Sequence, residues 1–231
     1  MFAKTLRAQF RVGDLSCRSV ADDWFRSSDW SANAQEEFER RLGRARAFNR
    51  PQYLRIKALA LIEHGGKPQA AGARQLLVRL IETYPESLDV VLAHEHLGEL
   101  DAREGRPREA VAHFRAALQL SPKRNVCGDA ALRLPETLIE QGNDDQRAEA
   151  SRLLDAIAEA DLVFASQRFR YAVARARLAQ ASGYEAEAKA YAENALTEAA
   201  RDTPDFPRHP TVGLVKADRK VLKEMRKLAR R

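Results

Sequence analysis

HEHLGELDAREGRPREAVAHFRAALQLSP, residues 94–122, is the stretch whose reading decides the fold. Leu97 stands beside Gly98 in its first half, Gly105 opens a short polar turn, and Ala110, Phe114 and Ala117 follow at intervals of four and three. Those intervals put three side chains on one face of a helix. Small residues at the contact positions let two helices approach closely, and Phe114 fills the gap beside them. Pro122 closes the unit. The stretch therefore reads as two antiparallel helices joined at a glycine.

Working outward, the same order recurs around Gly65, Gly142 and Gly183, with glycine spacings of 40, 37 and 41 residues. In the first copy Leu54, Ala58 and Leu61 face Ala73, Leu77 and Leu80, and Tyr84 and Pro85 close it. The third sets Ala131, Leu134 and Leu138 against Ala150, Leu154 and Ile157; the fourth sets Ala172, Ala176 and Ala179 against Ala188, Ala192 and Ala195. Pro135 falls inside the third copy's first helix, where a proline removes a hydrogen bond and bends the axis. A recurring period of this length is the mark of a repeat architecture, in which no pair buries both of its faces and stability comes from stacking neighbours.

The 94–122 unit closely resembles the tetratricopeptide repeat. Leu97–Gly98, Gly105, the Ala110–Phe114–Ala117 stripe and Pro122 all match its pattern, while His94 and Asp101 depart from it by occupying places the family gives to large apolar or aromatic residues. The resemblance covers about residues 50–200 and is specific in one copy and degenerate in three. It implies an all-α, right-handed solenoid of stacked helix pairs. It also implies a concave groove, lined by the first helix of each pair, that takes a peptide or helix of another protein.

Projected onto this chain, the groove residues are Arg55, Leu59 and Ile62, then Glu95, Glu99 and Arg103, then Asp129, Leu132, Glu136 and Ile139, then Arg170, Val173, Arg177 and Gln180. Family members that clamp acidic chaperone termini use lysine and asparagine where Arg55, Leu59, Glu95 and Glu99 stand here, so that clamp is missing. Glu95, Glu99, Asp129 and Glu136 predict an acidic middle of the groove and a partner with basic residues. This chain's own C-terminal helix is one candidate, and a homo-oligomer is compatible with the same surface.

The ends differ from the body. Residues 1–20 form an N-terminal segment. Residues 21–49 hold the aromatic stretch DWFRSSDW (23–30) and a first helix, with Ser31 as its N-cap and Ala34, Phe38, Leu42 and Ala45 along one face. Trp24, Phe25 and Trp30 offer the apolar surface needed to cover an array's open end, or an aromatic hot spot for a partner. The array spans residues 50–205. Residues 206–231 hold a proline-rich turn and an amphipathic helix, with Val221, Leu222, Met225 and Leu228 on one stripe and Lys220, Lys223, Arg226, Lys227, Arg230 and Arg231 around the rest.

The net charge of +6 belongs to that last part. Residues 201–231 carry ten Lys or Arg and four Asp or Glu, and the remainder of the chain is balanced. A basic end of this kind suits a capping helix with a solvated face, a surface for nucleic-acid phosphate, or a surface for an acidic partner; with no aromatic residues interleaved, sequence-specific recognition of nucleic acid is not expected.

Composition bounds the rest. Forty-five per cent hydrophobic and 31% charged residues suit a folded, water-exposed chain, and only 9 Pro and 11 Gly in 231 residues favour helix. Arg7 and Arg11 interrupt any apolar leader and no later run of about 18 apolar residues exists, so no membrane segment and a cytoplasmic location are expected. Cys17 and Cys127 are too few and too distant for a disulfide framework. His94 and His96, two apart on a helix, point away from each other, so no metal and no cofactor are expected. Gly65–Gly66–Lys67 lacks the spacing of a phosphate loop. With no nucleophile, base and orienting group to set together, the expectation is a non-catalytic interaction protein.

Overall fold

The computed structural model describes residues 23–64, 66–124, 128–204 and 212–230. Readings placed on residues 1–20, Cys17, Gly65, Cys127, Pro207, Pro210 and Arg231 lie outside the described residues. Ten α-helices and no strand occur among those described. The chain divides into two compact units, residues 1–73 and 74–231, and the division falls inside α3 (Lys67–Thr83).

In the first unit a 3₁₀ turn (Trp24–Arg26) precedes α1 (Ala32–Arg44) and α2 (Arg50–His64). Ser31 caps α1 as its residue type predicts, its hydroxyl accepting from Ala34 N at 3.4 Å. Phe38 and Leu42 of α1 and Leu54, Ala58 and Leu61 of α2 are buried. Trp24 meets Phe38 and Tyr53 with ring centroids 5.2 Å away in each case, and Phe25 stacks on Tyr53 at 4.7 Å. Trp30 lies against Gly72, where an added Cβ would overlap the indole. Both tryptophans, each half-buried, thus take part in this unit's own packing.

Lys57 sits beneath that aromatic cluster, 1% exposed, with Nζ donating to the carbonyls of Ser27 (2.6 Å) and Asp29 (2.9 Å) and lying 5.4 Å from the Trp30 ring centre. Burial holds its pKa below the ordinary lysine value, against the pull of Asp29. The 24–30 segment is therefore fastened by a buried ammonium as well as by aromatic contact, which its sequence pattern gave no hint of.

The second unit contains α4 (Asp89–Arg103), α5 (Pro107–Arg124), α6 (Ala130–Gln141), α7 (Asp144–Asp155), α8 (Ala165–Ala181), α9 (Glu185–Ala199) and α10 (Arg219–Ala229). α4 packs on α5, α6 on α7 and α8 on α9, and each pair meets the next. Gly105, Gly142 and Gly183 end the first helix of each pair with φ of 72°, 81° and 78°, a left-handed conformation that costs glycine little. Phe114 lies on Gly98 so closely that a Cβ there would come within 2.7 Å of the ring. The small-against-aromatic contact expected of the 94–122 unit is present.

Its two departures from the pattern explain each other. His94 Nδ1 faces His113 Nδ1 at 3.0 Å, and Asp101, 1% exposed, receives Arg106 Nε at 3.0 Å and lies 2.9 Å from Arg74 Nη2. Polar residues that replace apolar ones on α4 are matched by polar partners on α3, α5 and the intervening turn, as burial demands.

Of two prolines inside helices, Pro135 lies where the sequence placed it and Pro122 does not. α5 continues through Pro122 to Arg124, so Pro122 does not end the helix, and α6 runs from Ala130 to Gln141 with Pro135 inside. Loss of one amide donor is tolerated where flanking residues are held by tertiary contacts. In α6 the buried face is also displaced from expectation, with Ala130 buried and Ala131 exposed.

α10 closes the unit's far end. Met225 and Leu228 are buried among Phe169, Ala172, Val173, Ala176, Ala192 and Ala195 of α8 and α9. The helix caps the last pair with its apolar stripe, and its N-cap Asp218 accepts from Lys220 N at 2.8 Å.

Candidate functional site

α4, α6 and α8 are the first helices of consecutive pairs, and polar contacts run from each to the next. Glu99 of α4 accepts from Arg133 Nη2 of α6. Arg133 Nη1 lies 3.5 Å from Glu136, which Arg170 of α8 approaches to 3.2 Å. One turn further, Arg177 of α8 donates to Glu140 of α6 at 3.2 Å and grips Glu224 of α10 with two bonds of 3.0 and 2.8 Å. Asp129 accepts from Gln167 at 3.2 Å. The result is a ladder of alternating sign.

Burial sets the titration of its rungs. It works against the Arg133 charge, but the Glu99 and Glu136 carboxylates override it and raise the guanidinium pKa. Burial pushes the Glu99 carboxyl up, but Arg133, together with His96 and Arg103, holds it below the usual carboxylate value. Glu136 is pushed up, since its burial exceeds what Arg170 and Arg133 return.

This ladder forms one wall of a cleft of about 480 Å³. Asp129, the residue before α6, and Arg133, Glu136 and Glu140 of α6 line it with Ser166, Phe169, Arg170, Val173 and Arg177 of α8; Leu214–Asp218 and Val221 form the far edge. Ser166 N donates to Gly213 O at 2.8 Å and fixes that edge to the start of α8. The main-chain groups of Leu214, Val215, Lys216 and Ala217 make no hydrogen bond among the described residues. A smaller cavity of about 190 Å³, lined by Leu162, Tyr171 and Tyr191, has its Arg168 and Glu198 paired with each other at 3.1 Å.

Of the groove residues read from sequence, the cleft brings together Asp129, Glu136, Arg170, Val173 and Arg177. Leu132 and Ile139 do not reach it: both are buried in the core of α4–α8. The polar stripe of α6 is 129–133–136–140, one residue round from 129–132–136–139. Both have helical spacing, and the deciding signal was that leucine and isoleucine at a contact face belong to the core while arginine and glutamate do not. Arg133, Glu140 and the 214–218 edge were missed. Gln180 is exposed and lines a separate cavity of about 60 Å³ with Leu228, and Arg103 is exposed on α4. Arg55, Leu59 and Ile62 lie on α2 in the first unit, with Ile62 buried and the other two half-buried.

Glu95 is also corrected. It is 7% exposed and its Oε2 accepts from Ala130 N at 3.1 Å, so it caps α6 from a neighbouring helix instead of charging a surface. Gly128 makes room, because a side chain there would strike the carboxylate. Burial raises the Glu95 pKa to about 7, with Asp129 and Glu99 adding to the rise and amide hydrogen bonds opposing it. The cleft wall is therefore not acidic: four carboxylates and four cations line it. The basic C-terminal helix does not occupy it either. α10 reaches the ladder through its acidic residue, Glu224.

Lys220, Lys223, Arg226, Lys227 and Arg230 stand exposed on α10. No group of three or more His, Cys, Asp or Glu among the described residues could hold a metal ion, and no described helix is long and apolar enough to cross a membrane. No family model and no curated protein matches the chain, so the likeness to tetratricopeptide repeats rests on the residues of the 94–122 unit and its looser copies.

Proposed function

We propose that the chain is a non-catalytic interaction module, a right-handed solenoid of tetratricopeptide-like pairs that holds an extended peptide of another protein in the cleft between α6, α8 and residues 214–218. The observation that carries this reading is the pairing, in one cleft, of main-chain groups at Leu214–Ala217 that make no hydrogen bond among the described residues with a ladder of both charges. An extended peptide satisfies the first by main-chain bonds and the second with its alternating side chains. The carboxylates are poor candidates for acid–base chemistry, since Glu136 and Glu140 each lie beside an arginine.

A balanced wall favours a partner carrying both Lys or Arg and Asp or Glu over a purely basic one. A cytoplasmic setting suits such a module. Selection of displayed random peptides on the full chain tests the proposal. Selected peptides should share a motif of mixed charge and should lose at least tenfold affinity on Lys216→Glu combined with Glu140→Lys, two exposed positions. Peptides that bind both forms equally would move the binding surface elsewhere.

A further inference from the structure

The arginines of the second unit's interior are paired: Arg133, Arg168, Arg170, Arg175 and Arg177 each lie within 4 Å of a carboxylate. The cations of α10 are not. Arg219, Lys220, Lys223, Arg226, Lys227 and Arg230 are all exposed and have no ion-pair partner among the described residues. At 100° per residue these six fall within an arc of about 120°, opposite the stripe that Met225 and Leu228 bury. The single carboxylate of α10, Glu224, borders this face, and both nitrogens of the Arg177 fork hold and neutralise it. With its one carboxylate balanced by an arginine of α8, the face keeps a net positive charge.

We infer that this face of α10 is a docking surface for the phosphate backbone of a nucleic acid, bound without sequence preference. Length supports it. Lys220 to Arg230 spans about 15 Å at 1.5 Å per residue, and a strand presents a phosphate about every 3.4 Å of its axis, so four or five phosphates match the row. The face is a line of cations with no aromatic or aliphatic anchor, whereas a protein partner needs a desolvated apolar centre. Its apolar side is already buried against α8 and α9, so no stripe is left to enter a lipid surface.

Fluorescence anisotropy of the full chain with a labelled oligothymidine of about 20 nucleotides and with a random duplex of the same length tests the inference. Four or five contacts predict dissociation constants in the micromolar range at about 50 mM KCl and a slope of log K against log salt of about −3 to −4.5. The variant Lys223→Gln/Arg226→Gln/Arg230→Gln should lower that slope by about two to three, and its circular dichroism should be unchanged. The charge-reversed variant with Glu at the same positions should not bind. No binding by about 100 µM protein at about 50 mM KCl, a slope near zero, or unchanged binding by the Gln variant overturns the inference. So does displacement by polyglutamate or by phosphatidylserine vesicles at a lower charge concentration than unlabelled oligonucleotide, which would assign the face to an acidic protein or a membrane.

Discussion

The ladder on α6 and α8 and the outer face of α10 are made of the same side chains, and they differ in what surrounds them. Arg133 has 24% of its side chain exposed and faces Glu99 and Glu136, whereas Lys223, Arg226 and Lys227 stand in solvent with no ion-pair partner among the described residues. Where charge is enclosed, removing one member strands another, and the cost falls on folding. Where charge is exposed, removal costs the fold little and alters only long-range attraction. One helix array thus separates its charges into a set that holds the helices together and a set that is free to bind.

Arg133→Met should break the first set most severely. It leaves Glu99 without the guanidinium it binds and Glu136 with Arg170 alone, for a loss of about 3–4 kcal/mol in urea unfolding. The double variant Glu99→Met/Arg133→Met should recover much of that loss, because an apolar pair of similar volume needs no counter-charge. If the single variant cost no more than Lys227→Met, the contrast between the two regions would have no energetic content.

Glu95 sharpens the comparison by its pH dependence. Its carboxyl titrates near 7 when folded against an ordinary value of 4.5, so the folded state holds a proton that the unfolded state has released between those values. Its contribution is present below pH 4.5 and lost as the pH rises through 7, by on the order of 3 kcal/mol. Glu95→Gln, which keeps an acceptor for Ala130 N, should lack this contribution, and the difference in unfolding between the two forms, compared at pH 5 and pH 8, isolates it. His94 acts with the opposite sign. Burial and His113 push it down to about 4 from 6.5, so its contribution is present above 6.5 and lost as the pH falls towards 4, in wild type and variant alike.

The helix pairs were legible because packing leaves a period. Leu54, Ala58 and Leu61, or Ala188, Ala192 and Ala195, are buried for the reason their spacing suggested. The site was half legible. Arg170, Val173 and Arg177 came from the projected first-helix face, but Leu132 and Ile139 did not, since helical spacing fixes a stripe only to within one residue's rotation. Residues 214–218 carry no period at all, and their place at the cleft edge depends on α10 docking on α8 and α9. Lys57 was invisible because its partners are main-chain carbonyls, which any residue supplies.

Lys57 supplies an intermediate case in the first unit, a buried cation held by dipoles in place of a counter-charge. Lys57→Met keeps the stem and removes the donor that binds the carbonyls of Ser27 and Asp29, at a cost of about 2 kcal/mol. Because both tryptophans belong to the segment it fastens, their emission should shift to longer wavelength below the main unfolding transition. An unshifted spectrum would mean that Phe38 and Tyr53 hold the segment alone.

The smallest effect is expected on α10 and is the most informative about it. Lys223→Gln/Arg226→Gln/Arg230→Gln touches no ion pair, leaves Met225 and Leu228 buried and keeps the Arg177–Glu224 contact. Exposed substitutions of this kind stay within about 0.5 kcal/mol each, and relief of repulsion among six cations on one face acts in the stabilising direction at low salt. Thermal unfolding at low salt should therefore show a midpoint equal to or above that of the unaltered chain, with the gap closing as salt is added. A lowered midpoint would mean that these side chains brace the helix after all, and the division between charges that fold the protein and charges that serve a ligand would fail at the helix where it is drawn most sharply.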